Sequence, residues 1–312
     1  MIETQQLSRS FGTFRAVDSL TMTVNPGEVF GFLGPNGAGK TTVMRMLASL
    51  IAPSDGSARV LGYDVRTKGA EIRRRIGLLT ESPGLYRRLS AEANLRFYAK
   101  LHDVADPHPI IAHYLKRLEL YDHRHELVGS FSKGMKQKIA IARTLLHDPQ
   151  LVFLDEPTSG LDPESARIVL DVVRELKDRG KTIFLCTHHL DEAERLCDRV
   201  GVFKRRLIAL DTPSRLRETR FGTRTVVDLA IRDERLARAV SALPFVHGLQ
   251  WREQQLVVTL PDPSKQNPLL VKALVEAGAE IRFVLEEKPS LEQVYLSLTG
   301  SLASIPSPEE GS

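Results

Sequence analysis

Cysteine is scarce: the 312-residue chain holds two, Cys186 and Cys197. They fall on different expected elements and form no close pair, which excludes a disulfide framework and a thiolate metal clamp and leaves two reduced thiols. No apolar run approaches the roughly 18 residues that a membrane span needs, and the N-terminus has no secretion-signal pattern. The expectation is a cytoplasmic protein whose membrane role, if any, is exercised through a partner. One-signed charge is lacking too. The net charge of +4 is spread along the chain with no basic arm, which argues against a dedicated nucleic-acid binder. Mild basicity suits a surface near anionic lipid without requiring one. Sustained heptads are missing. The histidines at 102, 108, 113, 123 and 125 show no i, i+4 zinc pattern with a carboxylate base, so they read as surface residues.

What is present starts with ordinary globular proportions, 42% hydrophobic and 26% charged residues, in a chain long enough for two cores. An apolar run at 29–33 leads into GPNGAGKTT at 34–42, and a helical pattern follows. The spacing G-x-x-x-x-G-K-T is that of a phosphate-binding loop. Gly34, Gly37 and Gly39 take backbone conformations that other residues resist, so the loop of Gly34, Pro35, Asn36, Gly37, Ala38 and Gly39 can turn its N–H groups into an anion cradle. The following helix start, at Lys40, Thr41 and Thr42, adds its positive end. Lys40 supplies a mobile cation for terminal phosphates, and the Thr41 hydroxyl is a hard ligand suited to magnesium. The chemistry is that of a nucleoside triphosphate.

Other stretches supply partners for it. The buried-strand pattern at 151–154 ends in Asp155 and Glu156, at the sheet edge where open α/β folds bind ligands. Neighbours on a strand alternate faces, so the two carboxylates are expected to do different work: Asp155 toward magnesium, Glu156 toward the terminal phosphate, orienting or deprotonating water. A strand at 182–187 ends in His188 and His189. His188 could bond a phosphate oxygen or the attacking water, or sit exposed in a loop; the residues leave both readings open. Ser132 reads as the cap of a third helix start, bare because Gly134 lies in its first turn, again an anion site. Asp162, followed by Pro163, caps another helix, a role compatible with a functional one. Phe11 stands ahead of the loop, either as core or as a ring that stacks on a purine.

Beyond a polar linker expected at 218–224, the order strand, helix, strand, strand, helix, strand forms a βαββαβ unit. Ser290 and Gln293 then form a capping box for a last helix that Gly300 stops. From 304 the tail is rich in Pro, Ser and Glu and is expected to be disordered.

In order and spacing, GPNGAGKT, FSKGMKQK, LVFLDEP, SGLD and CTHHLDEAE resemble the ATPase subunit of ATP-binding cassette (ABC) transporters over about residues 2–215. The resemblance implies an α/β P-loop NTPase cassette at 1–218, with a mixed sheet and a helical subdomain at about 83–149. A small α+β domain of βαββαβ type would follow at 219–300, then a tail at 301–312. It makes Glu156 the base and His188 the switch histidine, favours stacking for Phe11, and assigns Ser132, Gly134 and Asp162 to nucleotide contacts across a head-to-tail dimer of two copies. Magnesium would be held by Thr41, Asp155 and Glu81. Two departures stand out: the usual LSGGQ is FSKGM, and Glu81 replaces the usual glutamine. LLTESPGLY, KGMKQK and PSLEQVYLSLTG resemble an exporter branch linked to drug or antibiotic efflux. ATP and magnesium would be the cofactors and a separate transmembrane permease the partner, with no nucleic acid and a peripheral place on the cytoplasmic face of the membrane. The competing reading is a soluble ABC ATPase acting on ribosomes or nucleic acid, which usually carries a second cassette or a coiled-coil insert.

Overall fold

The computed structural model describes residues 1–81, 84–287 and 289–300. It divides into two compact units, residues 1–212 and the residues from Pro213 onward.

The first unit opens with alternating strands β1 (Ile2–Phe11) and β2 (Phe14–Val24), then β3 (Val29–Leu33) and α1 (Lys40–Leu47). β4 (Asp55–Val60) and β5 (Tyr63–Asp64) complete an antiparallel sheet in the order β2-β1-β4-β5. After α2 (Gly69–Arg73) and β6 (Ile76–Leu79) comes a helical region of α3 (Ala91–Leu101), α4 (Pro107–Arg117) and α5 (Lys133–Leu145). Ser90, Asp106 and Ser132 cap these three helices through their side chains. The expected start of this region at Pro83 lies outside the described residues, as does the tail from 301.

β7 (Leu151–Asp155), α6 (Pro163–Asp178), β8 (Thr182–Thr187), α7 (Leu190–Leu196), β9 (Arg199–Lys204) and β10 (Arg206–Asp211) follow. The main sheet has the order β10-β9-β3-β8-β7-β6 and is parallel except for β10. Every residue of β3, β7 and β8 is buried, because helices or the second sheet cover both faces. Phe184 lies at the centre, with its ring 5.4–5.6 Å from those of Phe30, Phe32 and Phe153. The parallel register sets Leu33 beside Thr187 and Asp155 beside Cys186, so three strands end at one edge, where the site forms.

The second unit corrects the expected linker. Its first element is α8 (Pro213–Phe221), with Pro213 and Leu216 buried, so residues read as linker at 218–221 are helical and the division falls earlier than 218. The helix is polar around most of its circumference, which hides it from a periodicity reading. β11 (Arg224–Leu229), α9 (Glu234–Ser241), β12 (Gly248–Arg252), β13 (Gln255–Thr259), α10 (Pro263–Glu276) and β14 (Ile281–Glu287) form an antiparallel sheet in the order β12-β13-β11-β14 with two helices. α11 (Leu291–Thr299) begins at the Ser290/Gln293 capping box, and Arg220 on α8 donates to the Ser297 hydroxyl and carbonyl at 3.1 and 3.2 Å.

One contact inside the first unit is acid-sensitive. The rings of His102, after α3, and His147, after α5, stack with centroids 3.8 Å apart and planes 6° from parallel. His147 Nε2 donates to the Ile76 carbonyl at 3.0 Å. Burial first, then the neighbouring His102, brings the His147 pKa from 6.5 down to about 4. An unfolded chain takes up that proton below 6.5 and the folded one does not, so this stability is whole above 6.5 and is lost as pH falls toward about 4. Denaturant unfolding from pH 7 to 4.5 should therefore show a shallower decline for His147→Gln than for the parent. Equal slopes would contradict the assignment.

Candidate functional site

At that strand edge a cleft of about 440 Å³ is lined by Phe11, Phe14, Ala16, residues 35–42, Glu81, Asp155, Glu156, Ser159 and His188. The loop at 34–39 leaves β3 with no room for side chains at two of its glycines. A Cβ on Gly34 would stand 2.3 Å from the Phe203 carbonyl oxygen, and one on Gly39 2.5 Å from that of Ala16, with Gly39 at φ +103. Close backbone approach therefore imposes these glycines. Gly39 is also the N-cap of α1, and among the described residues no side chain caps that helix. Its first-turn N–H groups have no partner within the helix and remain donors for an anion.

Lys40 is 6% exposed. Its ammonium donates to the carbonyls of Gly34 at 2.6 Å and Pro35 at 3.4 Å, and lies 3.3 Å from Glu156 Oε1. That last contact is an ion pair by distance but lacks hydrogen-bond geometry, so Glu156 Oε1 is buried without a hydrogen bond among the described residues, as is Asp155 Oδ1. The Thr41 hydroxyl donates to Asp155 Oδ2 at 2.9 Å. Burial raises the Asp155 pKa, and the Thr41 bond partly offsets it. A buried carboxylate oxygen without a donor is set up to receive a cation.

Face alternation does not carry past Asp155. β7 ends there, and Glu156 turns out of the strand at φ +49, with its N–H donating to the Cys186 carbonyl at 2.9 Å. Both carboxylates consequently line one cleft. Glu156 Oε2 lies 2.8 Å from His188 Nδ1, so His188 lines the cleft while remaining exposed in the loop after β8.

Phe11 lines the mouth, half-exposed, as expected, but Phe14 lines it too. The two are cross-strand partners of the β1–β2 turn, with the Arg9 and Arg205 guanidinium groups 4.7 and 4.8 Å from their ring centres. The two phenylalanines of FGTF, one at each end of a two-residue turn, could have pointed to both. Ser159, also unforeseen, comes from the TSGLD loop. Glu81 lines the cleft and adds to the carboxylate repulsion on Asp155.

Ser132, Gly134 and Asp162 do not line it. Ser132 Oγ accepts from the Met135 N–H at 3.1 Å and Asp162 Oδ1 from the Ser165 N–H at 2.9 Å. A Cβ on Gly134 would lie 3.6 Å from Leu161 and 3.7 Å from Ser165, so the starts of α5 and α6 are side by side.

A glycine loop opening a helix, two carboxylates and a histidine at the carboxyl ends of parallel strands define a P-loop nucleotide-binding cassette. Comparison with known proteins narrows this. Residues 17–159 match the sequence profile of the ABC transporter family. The fluoroquinolones export ATP-binding protein of Mycobacterium tuberculosis is 44% identical over 216 residues, 68% of this chain and 70% of its own length. The daunorubicin resistance ATP-binding protein DrrA3 of Streptomyces coeruleorubidus is 36% identical across 94% of this chain and 93% of its own. The bacitracin transport ATP-binding protein BcrA of Bacillus licheniformis is 35% identical across 96% and 97%. The solved ATP-binding subunit of an ABC transporter aligns with 31% identity and a TM-score of 0.66 over 70% of this chain and 92% of that one. The chain belongs to the ABC transporter ATP-binding family and is an ATPase.

Saturating ATP is expected to raise the melting temperature of the parent; at about 100 times its Kd a ligand stabilises by roughly 2.7 kcal/mol. In Lys40→Ala most of that shift should vanish in a thermal melt. A full shift in the variant would contradict the role given to Lys40.

Proposed function

We propose that the chain is the ATP-hydrolysing subunit of an exporter. Two copies close head to tail around two ATP molecules and drive a separate transmembrane permease that carries a drug, antibiotic, lipid or similar substrate. The observation that carries this reading is a mismatch within one protomer. The cleft holds loop residues 35–42, the base Glu156 and the cation ligands, while the second anion-binding helix start, at Ser132 and Gly134, lies outside it. Each cleft is then half a site. In the closed pair, Ser132, Gly134 and Asp162 of one copy cover the terminal phosphate held by the other. ATP favours closure and ADP does not, because only the γ-phosphate discriminates the two states.

Within the pair, Phe11 stacks on adenine and the loop N–H groups hold the phosphates. Lys40 exchanges the Gly34 and Pro35 carbonyls for phosphate oxygens. Glu156 accepts a proton from water as its oxygen attacks the γ-phosphorus, and the β–γ bridging bond breaks with its electron pair leaving on ADP. His188, at 2.8 Å, fixes the orientation of that carboxylate. The orphaned Asp155 Oδ1 and the Thr41 hydroxyl fit a hard divalent cation, and Thr41, Asp155 and Glu81 would hold magnesium. When bound, it offsets phosphate charge.

Two further facts support the exporter reading. The relatives named above are export, resistance and transport ATP-binding proteins. Among the described residues no helix is long and apolar enough to cross a membrane, which is compatible with a separate permease. A groove of about 700 Å³ beside α3 and the start of α4, in which Leu89, Phe97, Val104 and Pro107 are joined by the charged Arg96, Lys100 and Asp103, is the face offered to the permease.

Glu156→Gln should retain ATP binding while hydrolysis slows by at least roughly 10²-fold, as read by phosphate release from the purified protein. Undiminished turnover would remove Glu156 from the role of base.

A further inference from the structure

His189 has no part in the reading above, yet it stands beside the two groups on which hydrolysis depends. Its ring centroid is 4.2 Å from that of His188. One ligand atom each from Glu156, His188 and His189 lie within 4.8 Å of one another, the one such grouping among the described residues. Glu156 and His189 are half-buried and His188 is exposed to the cleft. The geometry points to a site for a borderline-soft divalent cation, zinc above all, formed by Glu156, His188 and His189 in the nucleotide-free protein and incompatible with turnover.

The donor set selects the ion. Two imidazoles and one carboxylate are the ligands of zinc and its neighbours, whereas magnesium requires oxygen donors. Zinc–ligand bonds of about 2.0–2.2 Å put tetrahedral ligand atoms a little over 3 Å apart. Glu156 Oε2 and His188 Nδ1, at 2.8 Å, are already closer than that, and a side-chain rotation brings His189 in. Three protein ligands leave a fourth position open toward the cleft.

The surroundings favour a cation on one side and oppose it on the other. Glu192, whose Oε2 accepts from the Thr158 hydroxyl at 2.9 Å and whose pKa is raised by burial, stands beside both histidines. On the far side the Lys40 ammonium lies 3.3 Å from Glu156 Oε1 and repels a dication, which leaves the Oε2 side for the metal. An occupied site removes both Glu156 and His188 from their work, so zinc acts as a brake distinct from magnesium at Thr41 and Asp155. The histidine pair in CTHHLDEAE thereby gains a use that its first member alone does not explain.

The inference rests on where these three side chains lie and survives even if the transport reading fails, because its first readout is metal binding. Cobalt(II) added to the nucleotide-free full chain should give the intense visible bands of a tetrahedral site at one ion per chain, discharged by zinc and untouched by millimolar magnesium. In His189→Ala the bands should be lost and zinc affinity by calorimetry should fall at least ~10-fold. Turnover without zinc should stay near the parent value, and zinc inhibition of hydrolysis should weaken in parallel. Weak octahedral bands, or equal zinc affinity in the parent and His189→Ala, would overturn the site. Tight binding with hydrolysis unaffected by zinc would overturn the brake.

Discussion

The cleft turns on one buried cation. Lys40 is almost fully removed from water, and a charge so placed costs several kcal/mol unless it is paired and hydrogen-bonded. Two loop carbonyls and the Glu156 carboxylate meet that requirement, and they belong to segments after β3 and after β7. The ammonium therefore ties the loop to the carboxylates before a nucleotide arrives. Under the proposed function, a bound nucleotide would take over from the carbonyl partners of a cation that is already in place, as a preorganised electrostatic site requires.

The sheet makes this pairing possible. Five neighbouring parallel strands bring Leu33, Asp155 and Thr187 to one edge, and the phenylalanine cluster around Phe184 fixes their relative heights. Glu156 shows what the edge costs. It reaches the cleft only through a left-handed backbone at φ +49, a conformation unfavourable for a side chain with a Cβ and characteristic of functional sites. The bond from its N–H to the Cys186 carbonyl on β8 helps to hold that turn.

Much of this was legible in the chain because spacing encodes it. The loop at 34–42, the strand ending in Asp155 and the strand ending before His188 follow from local patterns whose physics is local. What was hidden depends on contacts distant in sequence. Gly34 and Gly39 could be read as conformationally permissive, but their closeness to the carbonyls of Phe203 and Ala16 could not. Phe14 pairs with Phe11 across a turn, a relation of register and not of composition. Face alternation between Asp155 and Glu156 requires a strand that continues, and β7 ends at Asp155; the different work expected of the two does not depend on it. The end of α8 at 218–221 reads as linker because only Pro213 and Leu216 of the helix are buried.

The central claim is that one protomer carries half of each nucleotide site. Disulfide trapping tests it most directly, because Cys186 and Cys197 are buried and contribute little background. Asn36→Cys and Ser132→Cys would be placed in a Glu156→Gln chain; Asn36 lines the cleft of its own protomer and Ser132 does not. With ATP, the account predicts a covalent dimer on a non-reducing gel, strongly reduced with ADP. Retained ATP binding with no ATP-dependent dimer, in both the purified chain and native membranes, would contradict it.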